Sequence, residues 1–288
     1  MSDQFLPCPN RNRWLEIAKD FQDLWNFPLV LGSIDGKHVA IQAPAHSGSE
    51  YYNYKNYHSI VLLAMCDARY CLTVIDIGAA GRESDGGVFA RSTFGQMFIA
   101  DELDMPHNGK LPGTLEDMPF VCLADAAFPL RSNLMKPYGG KNLTMEQMIF
   151  NYRLSRARRV IENTFGILAA RWRILRRQIN AEPSRVETFM KAICVLHNYL
   201  QKPEIAKQVE NSIYCPPGFV DSFTADGSVI PGMWRSEDQT SFLNSSYCDT
   251  PSNRYAKSAA TLRDNFAKYF VSDSGAVKWQ NRLVFGSE

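Results

Sequence analysis

No stretch of this chain approaches the roughly 18 or more consecutive apolar residues that a membrane span requires; the longest candidate is Ile60–Cys66. The opening MSDQFLPCPN has neither a basic n-region nor an apolar h-region, so a secreted or membrane-spanning protein is not expected. Cysteine is sparse and unpatterned: the seven residues at 8, 66, 71, 122, 194, 215 and 248 form no CxxC pair and no framework. Reduced thiols in the cytosol or nucleus account for them most simply, and a structural zinc site is not expected. The chain also lacks charge of one sign, with 31 Lys+Arg against 30 Asp+Glu, which excludes a histone-like basic protein and an acidic tail. There is no internal repeat and no low-complexity tract. What is there is ordinary globular material, 45% hydrophobic and 12% aromatic over 288 residues, enough for one large or two small cores and too apolar for disorder.

Local charge is far less even than the total. Residues 67–125 hold ten acidic residues against four basic ones, whereas residues 131–180 hold eleven Lys/Arg against only Glu146 and Glu162. A basic surface facing an acidic pocket is the expectation, and any nucleic-acid contact must come from such a patch.

Periodicity predicts a helix over Trp14–Trp25 and a β-strand or hairpin over Val30–Ile41, where Asp35-Gly36 is a turn signal. Further strands are expected at His58–Met65 and Tyr70–Ile77, joined tightly through Cys66–Arg69, and at Phe120–Ala124. Asp85–Phe98 has helical spacing, and Asp104–Pro119 reads as a loop. A long helix over Thr144–Leu175 is signalled by Leu154, Ala157, Ile161, Phe165, Leu168 and Trp172, an apolar stripe at helical period. A second helix is expected at Pro183–Gln201, then a loop-rich excursion over 202–250 and a closing helix at Ala256–Phe270.

Three acidic residues sit where solvation alone would not place them. Asp35 lies inside an apolar strand, Asp125 ends another, and Glu162 lies beside Ile161 on the long helix. At about 100° per residue Glu162 falls about 90° from the centre of the apolar stripe, at its margin. Carboxylates are rarely buried without a partner, and three converging ones repel unless a cation neutralises them. Hard oxygen ligands select Mg²⁺ or Mn²⁺. Two such ions about 4 Å apart can activate a nucleophile and stabilise the leaving oxygen of a phosphodiester.

The order of Asp, Asp and Glu resembles the DDE triad of ribonuclease H-like transposases. The wording is more specific: GSIDGKHVAIQAP, YYNYKNYHSIVLLAMCDARY, GRESDGGVF, LADAAFPL, RARRVIENTFGILAARWRIL and VLHNYL resemble the PIF/Harbinger transposase family and its domesticated nucleases over roughly Phe27–Leu200. The closing KSAATLRDNFAKYF with VKWQ is similar to the tail of many Harbinger elements. The resemblance implies an α/β, ribonuclease H-like fold with a mixed central sheet flanked by helices. It makes Asp35, Asp125 and Glu162 the metal-binding catalytic triad of a Mg²⁺- or Mn²⁺-dependent DNA endonuclease, which in a mobile element would also use a DNA 3′-hydroxyl for joining. The expected layout is a helical lead-in over 1–26, the endonuclease domain over 27–200, and an extension with a closing helix over 201–288.

Such proteins usually carry a helix-turn-helix-like region ahead of the catalytic domain, and only residues 1–26 precede the first expected strand here. Site-specific DNA binding and nuclear import are therefore expected from a separate Myb/SANT-like partner, with the protein in the nucleus, or in the cytoplasm without that partner. No membrane partner is expected, and a homo-oligomer is compatible with the sequence. The alternative from another class is a domesticated, catalytically silent DNA- or chromatin-associated interaction module.

Several neighbours have two readings. Asp85 reads as the N-cap of the helix near Gly86 and Asp67 as a turn residue, so both stay outside the triad. Glu162, taken alone, reads as a solvated helix carboxylate paired to Arg158 or Arg159. His38 falls on the strand face opposite Asp35 and reads as structural. Tyr51, Tyr52, Tyr54 and Tyr57 with Lys55 and His58 read equally as a platform for bases or phosphates and as simple packing. Arg153, Arg156, Arg159, Arg173, Arg176 and Arg177 read, taken alone, as a solvated helix face, and beside a DDE triad they are expected to track a DNA backbone. His197 reads as a satisfied core histidine.

Overall fold

The computed structural model of the protein describes residues 2–202, 214–237 and 256–286. The expected 202–250 excursion is therefore described only in part, and Cys248 lies outside the described residues. Helices α1 (Ser2–Phe5) and α2 (Arg11–Trp25) lead the chain. Helix α2 starts three residues earlier than its apolar spacing predicts, because the Asn10 side chain accepts from the Arg13 backbone N–H and caps it. It ends at Asn26, which takes the left-handed conformation (φ 58°) tolerated by asparagine.

Strand β1 (Val30–Ala40) follows as one uninterrupted strand, so the Asp35-Gly36 turn does not form. The two residues sit in the ladder, Asp35 opposite Ala64 and Gly36 opposite Leu63 of β2 (Ser59–Cys66). A turn at Asp67 leads to β3 (Leu72–Ala80), its Oδ1 accepting from the backbone N–H of Arg69 and Cys71 at 2.8 and 3.0 Å, as the turn reading requires. Helices α3 (Asp85–Arg91) and α4 (Thr93–Ala100) replace the single helix expected there. Ser92 ends one in an extended conformation and caps the next by accepting from the Gly95 N–H. A small hairpin, β4 (Asn108–Lys110) with β5 (Asp117–Pro119), interrupts the expected loop. Strands β6 (Val121–Leu123) and β7 (Leu134–Met135) then complete a sheet of order β3-β2-β1-β6-β7.

The β1–β2–β3 part is an antiparallel meander, and β6 and β7 add in parallel. Helix α5 (Met145–Arg171) carries a capping box of Thr144 and Gln147 and packs on β1, β2 and β6. A short 3₁₀ turn at Arg173–Arg176 and helix α6 (Pro183–Leu200) follow. This is the mixed sheet flanked by helices that the sequence predicts, consistent with a ribonuclease H-like fold. No described helix is long and apolar enough to cross a membrane.

One main core runs through the described residues, beside a small second cluster of Ile167, Ala170 and Phe219. Trp14, Ile17 and Phe21 of α2, all of β2, and Phe150, Ile161 and Leu168 of α5 are buried in the main core together with Phe266 and Phe270 of the helix Lys257–Val271. That last helix packs along α5, and the Phe27 and Phe270 rings stand 4.8 Å apart. Residues 214–237 hold on to α5 through Asp221. Its fully buried carboxylate accepts from Arg159 (3.0 Å), from Arg235 (2.8 Å) and from the Gly232 backbone N–H (2.9 Å).

Candidate active site

Parallel pairing of β1 with β6 sets Ser33 opposite Leu123. Two residues further along both strands stand Asp35 and Asp125, so the register itself brings them to one level where β6 ends. Asp125 accepts from the Ala127 backbone N–H at 2.9 Å, turning the chain away just there. Asp35 points to α5, where Arg158 Nη2 lies 3.3 Å from its Oδ2 with both side chains largely buried. The Asp35 pKa is raised well above the usual carboxylate range. Burial is the main cause; Asp125 and Asp85 add repulsion, and Arg158 opposes it.

Asp85, which the sequence places outside the triad as an N-cap, also acts on this pair. Ser84, not Asp85, caps α3: its hydroxyl accepts from the Gly87 N–H at 3.3 Å. Freed of that task, the Asp85 carboxylate lies against the backbone of Gly36. A Cβ added there would stand 2.0 Å from Asp85 Oδ1, so this approach requires glycine. Burial, followed by repulsion from Asp125, pushes the Asp85 pKa up to about 6 against the pull of Lys55 and Arg158. The glycine after Asp35 was legible as a signal, but for a turn instead of for the approach of a third carboxylate.

Glu162 stands one turn beyond Arg158 on α5, on the same side of the helix. It is half-buried, matching its place at the margin of the stripe. Its alternative partners are engaged by other carboxylates, Arg158 by Asp35 and Arg159 by Asp221. The charges of Glu162 and Arg235 act on one another. Among the described residues no group of three or more His, Cys, Asp or Glu side chains is placed to hold a metal ion. The structure thus gathers Asp35, Asp125 and Asp85 within electrostatic reach, whereas Glu162, one turn beyond Arg158, acts on Arg235 and not on these three.

Around these acids, Lys37 is buried on the same strand face as Asp35, its Nζ 5.7 Å from the centre of the Phe165 ring. His38 lies on the other face and pairs through Nδ1 with Ser59 Oγ at 2.9 Å. Burial, then the nearby Lys55 and Lys37, lowers its pKa to about 4, which keeps it neutral and fits its structural reading. His197 is likewise a fully buried core histidine, satisfied by the Tyr214 hydroxyl and the Tyr70 carbonyl, each at 2.7 Å.

The arginines of α5 correct the expectation that they track DNA. Arg153 is buried over the Phe270 ring (4.3 Å) and bonds the Asn26 carbonyl and Gln280. Arg156 is buried over Phe223 (3.5 Å), Arg159 pairs with Asp221, and Arg176 donates to the Ala169 and Ala170 carbonyls. Arg173 and Arg177 remain exposed. The physical reason is that α5 is covered on two sides. Its polar face meets the aromatic side chains of residues 214–237 and 256–286, so arginines that read as solvated are stacked inside.

Comparison with known proteins bears on these same residues. The DDE superfamily endonuclease family model matches residues 34–198, a span that includes Asp35, Asp85, Asp125 and Glu162. The chain is 32% identical over 205 residues to "Putative nuclease HARBI1" of Mus musculus, covering 68% of this chain and 53% of that protein. It is 31% identical over 201 residues to the Homo sapiens protein of the same name, with the same coverage. It is also 27% identical over 190 residues to "Protein ALP1-like" of Arabidopsis thaliana, covering 64% of this chain and 46% of that protein. The chain spans about half the length of the curated relatives it matches. No solved structure matches. With its match running from the second half of β1 to the end of α6 and enclosing the gathered carboxylates, the chain belongs to the DDE superfamily endonuclease family.

Proposed function

We propose that this protein is a divalent-metal-dependent DNA endonuclease of Harbinger transposase type, with Asp35, Asp125 and Glu162 as its catalytic metal ligands. The observation that carries this reading is Asp35: a carboxylate held in the sheet at the level of Asp125, repelled by two further carboxylates and offset by one guanidinium. Such a concentration of half-buried carboxylates calls for cations, and the donor set, all carboxylate oxygens, fits Mg²⁺ or Mn²⁺. Asp35 and Asp125 would hold the ion from the sheet and Glu162 from α5. When bound, the metal supplies activation of the attacking water and stabilisation of the leaving oxygen in hydrolysis of a phosphodiester. Arg158 holds the Asp35 carboxylate toward α5, and Asp125 is aimed by its own turn at Ala127.

The test is plasmid nicking by purified protein in Mg²⁺ or Mn²⁺. Supercoiled DNA is expected to relax with metal, to stay intact in EDTA, and to stay intact with Asp35→Asn, Asp125→Ala or Glu162→Gln. Cleavage that survives all three substitutions would overturn the reading. The second reading, a silent DNA- or chromatin-associated module, is favoured by the absence among the described residues of a ready three-ligand group and by Arg158 standing where a cation would neutralise Asp35. Retained DNA or chromatin binding without metal-dependent nicking would select it.

The remaining parts of the reading are a Myb/SANT-like protein as DNA-binding partner, nuclear residence dependent on that partner, and self-association through copies of this chain. A nuclear distribution unchanged when the partner is removed would contradict the second of these.

A further inference from the structure

Between β1 and β2 the chain makes a long excursion, and its last part is firmly built. The Asn53 side chain accepts from the backbone N–H of Lys55 (2.9 Å) and of Tyr57 (3.3 Å) and donates to Ser59 Oγ (2.8 Å). Ser59 Oγ also meets His38 Nδ1 at 2.9 Å, which ties the loop to β1 three residues beyond Asp35. On this frame Tyr54 is 54% exposed, although large aromatic side chains normally bury. The edge-to-face contact with His38, centroids 5.4 Å apart, fixes its ring. Lys55 Nζ lies 5.6 Å from the centre of the same ring. Lys55 is half-buried, and the Asp85 and Asp35 carboxylates attract its ammonium against the cost of that burial. One short segment therefore joins an exposed, oriented aromatic face to a cation beside the carboxylates.

We propose that Tyr54 and Lys55 form the strand-holding site of this protein, Tyr54 stacking on a nucleobase and Lys55 meeting the phosphate next to it at the carboxylate site. Stacking on a protruding tyrosine needs a base that has left the duplex, so the ligand class is a single-stranded or locally unpaired DNA strand. The phosphate is anionic and would be repelled by the carboxylates alone; Lys55 is the adjacent opposite charge. This inference rests on the nuclease reading for what the strand is held against, but its test does not need cleavage.

The test titrates the full chain, in EDTA, into a 12-nucleotide single strand carrying 2-aminopurine. Saturable quenching is expected. Tyr54→Ala should weaken binding about tenfold and remove most of the quench, whereas Tyr54→Phe, which keeps the ring, should preserve both. Lys55→Met should lower the slope of log affinity against log salt by about 0.7, the value for one phosphate contact on a single strand. Unchanged affinity and quench in both Tyr54→Ala and Lys55→Met would overturn the proposal, as would equal, equally Tyr54-dependent binding of the matched duplex. Because the readout is binding without metal, a failed nicking assay and a failed strand-holding site give separate results.

Discussion

Gly36 carries two demands at once. Its backbone continues the β1 ladder opposite Leu63, and its missing side chain leaves the space that the Asp85 carboxylate occupies. A methyl group there meets the end of a flexible side chain, so the backbone can stay and Asp85 must move. Gly36→Ala is therefore expected to destabilise the wild-type chain by about 1–2 kcal/mol and to be close to neutral when Asp85 is already alanine. Thermal or urea unfolding of the two single variants and the double variant measures this as a coupling of about 1 kcal/mol. Purely additive effects would mean that Asp85 does not depend on the gap. The sequence shows the Asp-Gly pair but cannot show which residue approaches it, because Asp85 reaches the site only through the placement of α3 against the sheet.

Among the elements, β1 and α5 explain most of what was readable from sequence. The apolar strands that carry Asp35 and Asp125 were legible, and the parallel register sets the two residues at one level. The place of Glu162 at the margin of a periodic stripe was legible, and it is half-buried there, but taken alone it reads as a solvated helix carboxylate. The roles of the α5 arginines were not, since their partners lie far along the chain: Phe270 for Arg153, Phe223 and Trp279 for Arg156, Asp221 for Arg159. Helical period reports which face is apolar; it does not report what covers the polar face. The break at Ser92 and the β4–β5 hairpin were missed for a related reason, as both depend on single caps and a three-residue pairing too short to leave a period. Arg156→Ala is expected to lower stability by about 2 kcal/mol through the lost stacking on Phe223 and Trp279. It should leave the salt dependence of DNA binding unchanged. A salt slope reduced by one phosphate contact, with stability intact, would return this arginine to the DNA surface.

At the scale of the whole molecule, the lead-in helix α2, the sheet and the helix Lys257–Val271 bury side chains in one core, with α5 at its centre. The carboxylates sit where the sheet meets α5, so any cation they hold must be gripped from two elements whose spacing that core determines. Arg158 occupies part of this position by pairing with Asp35, and a divalent ion would share or displace that contact. The proposed nuclease accordingly requires that Asp35, Asp125 and Glu162 together hold a divalent ion. Calorimetric titration of Mn²⁺ into the full chain, beside Asp125→Asn, Glu162→Gln and the triple variant with Asp35→Asn, tests it most directly. Saturable binding is expected, weakened roughly tenfold or more by each single substitution and lost in the triple variant. Mn²⁺ binding by the triple variant with the affinity and stoichiometry of the wild-type chain would contradict it.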